Sequence, residues 1–114
     1  MCDRRSPLGV EVVDGESEVT VIVSGEIDMA AVSRFQAALD RAIEDRDGDV
    51  AIDMAAVEFL DSSGLAVLVR SHSALAEQGR RLGVSALSTS VARVIELAGL
   101  SVVLSPPPTE ETSR

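Results

Sequence analysis

Three short apolar runs, at residues 19–23, 50–54 and 82–87, are each followed by a segment in which apolar side chains recur every three or four positions. A run of about five aliphatic residues is the length of one strand, and a 3.6-residue repeat marks an amphipathic helix. Repeated alternation of the two leaves few solutions. Successive strands lie parallel in one sheet, and the helices cross over it with right-handed connections.

The N-terminal part breaks this alternation. Residues 8–14 are rich in valine, and Asp14-Gly15-Glu16-Ser17 separates them from the run at 19–23. Two β-prone runs around an Asp-Gly turn predict an antiparallel hairpin. Ser24-Gly25-Glu26-Ile27-Asp28 then reads as a break, with Asp28 placed to cap the helix carrying Val32, Phe35, Leu39 and Ile43. Asp47-Gly48-Asp49 stops that helix. The second helix starts near Ser63, carries Leu65, Leu68, Val69, His72 and Leu75, and has Gly79 at its C′ position. A third, short helix follows Ser88-Thr89-Ser90, carries Val91, Val94, Ile95 and Leu97, and ends at Gly99. Residues 100–104 predict a last strand.

The expected architecture is a single α/β domain over residues 7–105, in the order ββαβαβαβ, with a mixed, mostly parallel sheet. Residues 1–6 are expected to be a flexible tail. Residues 106–114 are expected to be a disordered one, because Pro106-Pro107-Pro108 forbids a helix start.

Charge and composition narrow the function. Of the 114 residues 46% are hydrophobic, enough for a core, but only 2% are aromatic: Phe35 and Phe59. A net charge of −9 and the lack of aromatic stacking platforms argue against nucleic acid and anionic membranes. A basic protein surface suits such a chain better. Cys2 is the sole cysteine, so no internal disulfide and no metal-ligand spacing is available. No apolar h-region and no run near the ~20 residues of a membrane span is visible, so a soluble cytoplasmic protein is expected.

The stretch VEFLDSSGLAVLVR carries the candidate site. Asp61-Ser62-Ser63-Gly64 lies between a strand and a helix, at the carboxyl edge where open α/β sheets gather function. As a plain capped turn, Asp61 or Ser63 accepts a backbone N–H and Gly64 permits close packing. That accounts for one hydroxyl and leaves the second over. A small, bare turn also admits another protein's backbone, and a serine in it is open to a kinase. Phosphate there would add about 1.5–2 negative charges at a helix N-terminus, beside Asp61 and near Asp28.

The segments VSGEIDMAAVSRFQAAL, AIDMAAVEF and LDSSGLAVLVR together resemble the anti-sigma factor antagonists, the stand-alone STAS domains of bacteria. The resemblance spans residues 10–104. It rests on G-E-I-D before the first helix and D-S-S-G before the second, a pair more specific than either motif alone. It implies a STAS-like fold and a non-enzymatic role. The unphosphorylated antagonist binds a cytoplasmic serine kinase that otherwise holds a sigma factor, and so frees the sigma factor. The kinase, with its own ATP, phosphorylates the first serine of D-S-S-G, and a PP2C-type phosphatase resets it. Carried onto this chain, Ser62 is the phospho-acceptor, with Asp28, Asp61, Ser63 and Gly64 as partner-binding residues. The protein itself needs no cofactor and no metal. Family members usually have a further helix after the last strand. Here the prolines stand in its place, so that helix is expected to be missing, which leaves a homodimer or a different partner possible.

Other readings fit less well. A STAS-like scaffold without a phospho-switch would keep the fold and make Ser62 merely structural. A serine hydrolase would need His72 as base, but it lies ten residues into the helix, about 15 Å away. G-x-S-x-G is also absent. Asp28, Asp53 and Asp61 could hold Mg²⁺ only if they converged, and no adjacent acidic pair supports that. Ser88-Thr89-Ser90 is explained by helix capping.

Overall fold

The computed structural model of the protein describes residues 7–100. Within them the order is β1 (Gly9–Asp14), β2 (Glu18–Ile27), α1 (Val32–Asp45), β3 (Asp49–Leu60), α2 (Ser62–Ala76), β4 (Leu82–Leu87) and α3 (Thr89–Leu97). Residues 101–104 of the expected last strand, both tails and any further helix lie outside the described residues.

The strands form one sheet in the order β1-β2-β3-β4. β1 pairs antiparallel with β2, closed by the amide of Gly15 on the carbonyl of Glu18. β2–β3 and β3–β4 are parallel, as strand–helix alternation requires. Strict alternation along β2 sends Val19, Val21, Val23 and Ile27 into the core. Phe35, Leu39 and Ile43 of α1, Val67, Leu68 and Leu75 of α2, and Val91 and Ile95 of α3 complete it. Phe35 is the one buried aromatic among the described residues, and aliphatic side chains fill the rest.

Two elements depart from the local reading. β2 does not break at Ser24-Gly25 but runs on to Ile27. Gly25 has φ +86, and the β2–β3 register shifts on either side of it. The glycine that looks like a strand breaker is a bulge inside a paired strand. α1, in turn, starts at Val32 with Ala31 as N-cap and no side-chain cap bond. Asp28 is thus not the cap of α1. Its carboxylate accepts from the amides of Ala30 and Ala31, both at 3.1 Å, and so closes a turn ahead of the helix.

The helix ends follow the glycines. Gly79 (φ +72) and Gly99 (φ +76) each sit where a left-handed residue closes a helix. Around Gly79, the amides of Gly79 and Arg80 bond the carbonyls of Ala76 and Leu75, the pattern of a Schellman motif.

Candidate functional site

The core strands deliver two turns to the same edge. Ile27 pairs with Leu60 at the ends of β2 and β3, and the amide of Asp61 bonds the carbonyl of Ile27 at 3.2 Å. Parallel neighbours lie about 5 Å apart. The turn at 28–31 and the turn at 61–64 therefore leave the sheet side by side.

Asp61 caps α2. Its Oδ1 accepts from the amide of Ser63 at 3.0 Å, the amide of Gly64 at 3.2 Å and the hydroxyl of Ser63 at 2.5 Å. The backbone carbonyl of Asp61 accepts from the amide of Leu65 at 3.1 Å. Two of the orphan amides that open a helix are thus satisfied by one carboxylate. Ser63 is half-buried and spends its hydroxyl on Asp61. Ser62, the first residue of α2, is exposed, and its hydroxyl makes no hydrogen bond among the described residues.

Gly64 is buried, not presented. A Cβ built on it would stand 2.4 Å from Cδ1 of Leu60 and 2.9 Å from Cγ2 of Ile27. Glycine is needed here so that α2 can pack close over the strand ends. Of the expected site residues, Gly64 thus packs beneath the turn while Ser62 stands exposed on it. The buried stripe of α2 is Gly64, Val67, Leu68, Ser71 and Leu75. Val69, expected along that face, is exposed. Gly64 and Ser71 escape a hydrophobic pattern search because neither side chain is apolar. Spacing alone, at seven residues, could have found them.

The remaining candidates separate. His72 is half-buried on α2, two turns and more beyond Ser62. Asp53 sits mid-strand on β3 and binds the amide of Ala55 at 3.0 Å. Among the described residues no three His, Cys, Asp or Glu side chains come together as a metal site. No helix there is long and apolar enough to cross a membrane. At α3 the cap is Ser88, whose hydroxyl donates to the carbonyl of Val57 at 2.6 Å and accepts from the amide of Val91 at 3.3 Å.

The model of the STAS domain matches residues 10–113. The chain belongs to the STAS domain family. Its relatives include the anti-sigma-F factor antagonist RsfB of Mycobacterium tuberculosis, 32% identical over 91 residues that span 80% of this chain and 74% of that one. The anti-sigma-B factor antagonist of Staphylococcus epidermidis is 27% identical over 82% of this chain and 86% of that one. Among solved structures, an anti-sigma factor antagonist from Mycobacterium paratuberculosis superposes with a TM-score of 0.80 at 32% identity, covering 92% of this STAS domain chain and 89% of its own. The mixed α/β fold of the family is the fold described above.

Proposed function

We propose that this STAS domain is an anti-sigma factor antagonist. It binds a cytoplasmic anti-sigma factor that is also a serine kinase, and phosphate on Ser62 releases it. The protein is the substrate of the kinase and of an opposing phosphatase of the PP2C type, not a catalyst. The names of its relatives support the class of partner.

One observation carries the reading: the turn has a hydroxyl that the fold does not use. Asp61 and Ser63 complete the cap, and Ser62 stands exposed at the first position of α2. In the reaction, Oγ of Ser62 attacks the γ-phosphorus of ATP held by the kinase. ADP leaves, and the hydroxyl proton passes to a base on the kinase. The amides of Ser63 and Gly64 already serve Asp61, so they do not draw the new phosphate inward. It remains at the surface as about 1.5–2 negative charges beside a carboxylate. In a desolvated interface such charge opposes binding unless Arg or Lys receives it, and each 1.4 kcal/mol is about tenfold in affinity.

The test is phosphosite mass spectrometry on the protein from its own cells, before and after stress, with co-purifying proteins identified. Phosphate on Ser62 together with a bound ATP-dependent kinase is the expected result. Purified Ser62→Ala should bind that kinase constitutively, and Ser62→Asp weakly. Equal binding by the two variants, or a Ser62 unmodified under every condition with a transporter or scaffold subunit attached, would overturn the reading in favour of a scaffold module.

A further inference from the structure

The turn beside Ser62 carries an apolar side chain that the fold has no use for. Met29 is 79% exposed. Turn positions favour Gly, Asn, Asp, Ser or Pro, each for a conformational reason, and methionine offers none of these. The turn is nevertheless held in one shape, because Oδ1 of Asp28 accepts from the amides of Ala30 and Ala31 and the carbonyl of Asp28 accepts from Ala31 at 3.0 Å. Met29 is therefore displayed from a fixed turn.

Its position is matched to Ser62. Ile27 and Leu60 are paired residues, Met29 lies two residues past the one, and Ser62 two past the other. The two turns leave the sheet side by side, so a protein surface that reaches the Ser62 hydroxyl has the Met29 turn as its immediate neighbour. The surroundings are acidic: Glu26 and Asp28 precede Met29, and Asp61 precedes Ser62, in a chain of net charge −9.

We propose that Met29 is the apolar anchor of this interface. It enters an apolar pocket on the anti-sigma factor kinase, rimmed by Lys or Arg side chains that face Glu26, Asp28 and Asp61. This rests on the function proposed above and adds to it the residue that supplies affinity. Phosphate on Ser62 then sets whether the interface closes, and Met29 sets how tightly. Methionine is enriched at protein interfaces and adapts its shape to the pocket it enters, and a residue fully desolvated within a rim that excludes water can carry much of the binding energy.

The probes are the ATP-binding anti-sigma factors encoded in the same genome, each purified and titrated against wild type, Met29→Ala, Met29→Leu, Ser62→Ala and Ser62→Asp at low and high salt. For the tightest binder, Met29→Ala is expected to lower affinity about tenfold, with Met29→Leu restoring most of it. The loss should be the same at both ionic strengths, since apolar burial is not screened, whereas overall affinity should fall with salt. The melting temperature of Met29→Ala should equal that of wild type, because the side chain is exposed. Met29→Ala binding within about twofold of wild type, while Ser62→Asp binds weakly, would overturn the anchor and leave the proposed function standing. Failure of both wild type and Ser62→Ala to bind any of the kinases would overturn the function and the anchor together.

Discussion

The turns at 28–31 and 61–64 begin alike and end differently. Each opens with an aspartate at the end of a parallel strand, and each aspartate accepts two backbone amides through Oδ1. Asp61 belongs directly to its helix and closes the first turn of α2. Asp28 stands three residues ahead of Ala31, so it shapes a loop and leaves α1 without a side-chain cap. The first turn spends its polar groups on the backbone and exposes a methionine. The second does the same and exposes a serine. One motif plan thus yields two kinds of surface, with Met29 after the aspartate in one turn and Ser62 in the other.

This contrast can be broken by substitution, and the largest effect is expected beneath the second turn. Gly64→Val places atoms against Leu60 and Ile27, both buried, so overpacking should cost about 2–3 kcal/mol. Thermal unfolding should then fall by roughly 10 °C or more. An unchanged melting temperature would mean that α2 can lift off the strand ends. Asp61→Ala removes the cap of α2 and should cost about 1–2 kcal/mol in denaturant titration. Asp28→Ala loosens a loop and not a helix end, so about 0.5–1 kcal/mol is expected. If Asp28→Ala proved the costlier of the two, the distinction between helix cap and loop closure would be wrong.

The smallest effect lies at the opposite end of the sheet. Arg46, the C-cap of α1, donates from Nε to Oδ1 of Asp14 and, at 3.0 Å, from one guanidinium nitrogen to Oδ2. The hydrogen bond from Arg46, helped by its charge, holds the Asp14 carboxyl below its ordinary value of 3.8. A carboxyl lowered in the folded state contributes stability above its unfolded value and loses it as pH falls through the folded one. Acid unfolding curves of wild type and Arg46→Ala should therefore converge as pH drops below 3.8. The pair is exposed, so the gap above that pH should be small and should close with added salt.

Much of this was legible in the chain. The hairpin followed from Asp14-Gly15 between valine runs, and Gly79 and Gly99 marked helix ends because only a left-handed residue closes them cheaply. The 61–64 turn was recognisable as a helix cap, with Asp61 among its candidate acceptors. What stayed hidden depended on neighbours. Gly25 looks like a break, yet pairing with β3 on one side and β1 nearby carries the strand across it. Asp28 resembles a cap because its sequence context matches one, but the backbone spends three further residues turning before helix geometry begins. The seven-residue spacing of Gly64 and Ser71 marks one helix face, but that this face meets Leu60 and Ile27 closely enough to exclude a Cβ at 64 depends on the sheet and not on local pattern.

The division of labour in the 61–64 turn has a consequence for heredity. Because Asp61 and Ser63 close the helix, the cap of α2 makes no use of the side chain at residue 62. A missense change there would yield a chain that matures, survives proteolysis and accumulates like the original. Cellular quality control senses misfolding, so it would have no means of removing such a variant. On the proposed phospho-switch, only selection on signalling output keeps that serine in place, and a gene duplicate freed from such selection is a single codon away from a permanently committed form.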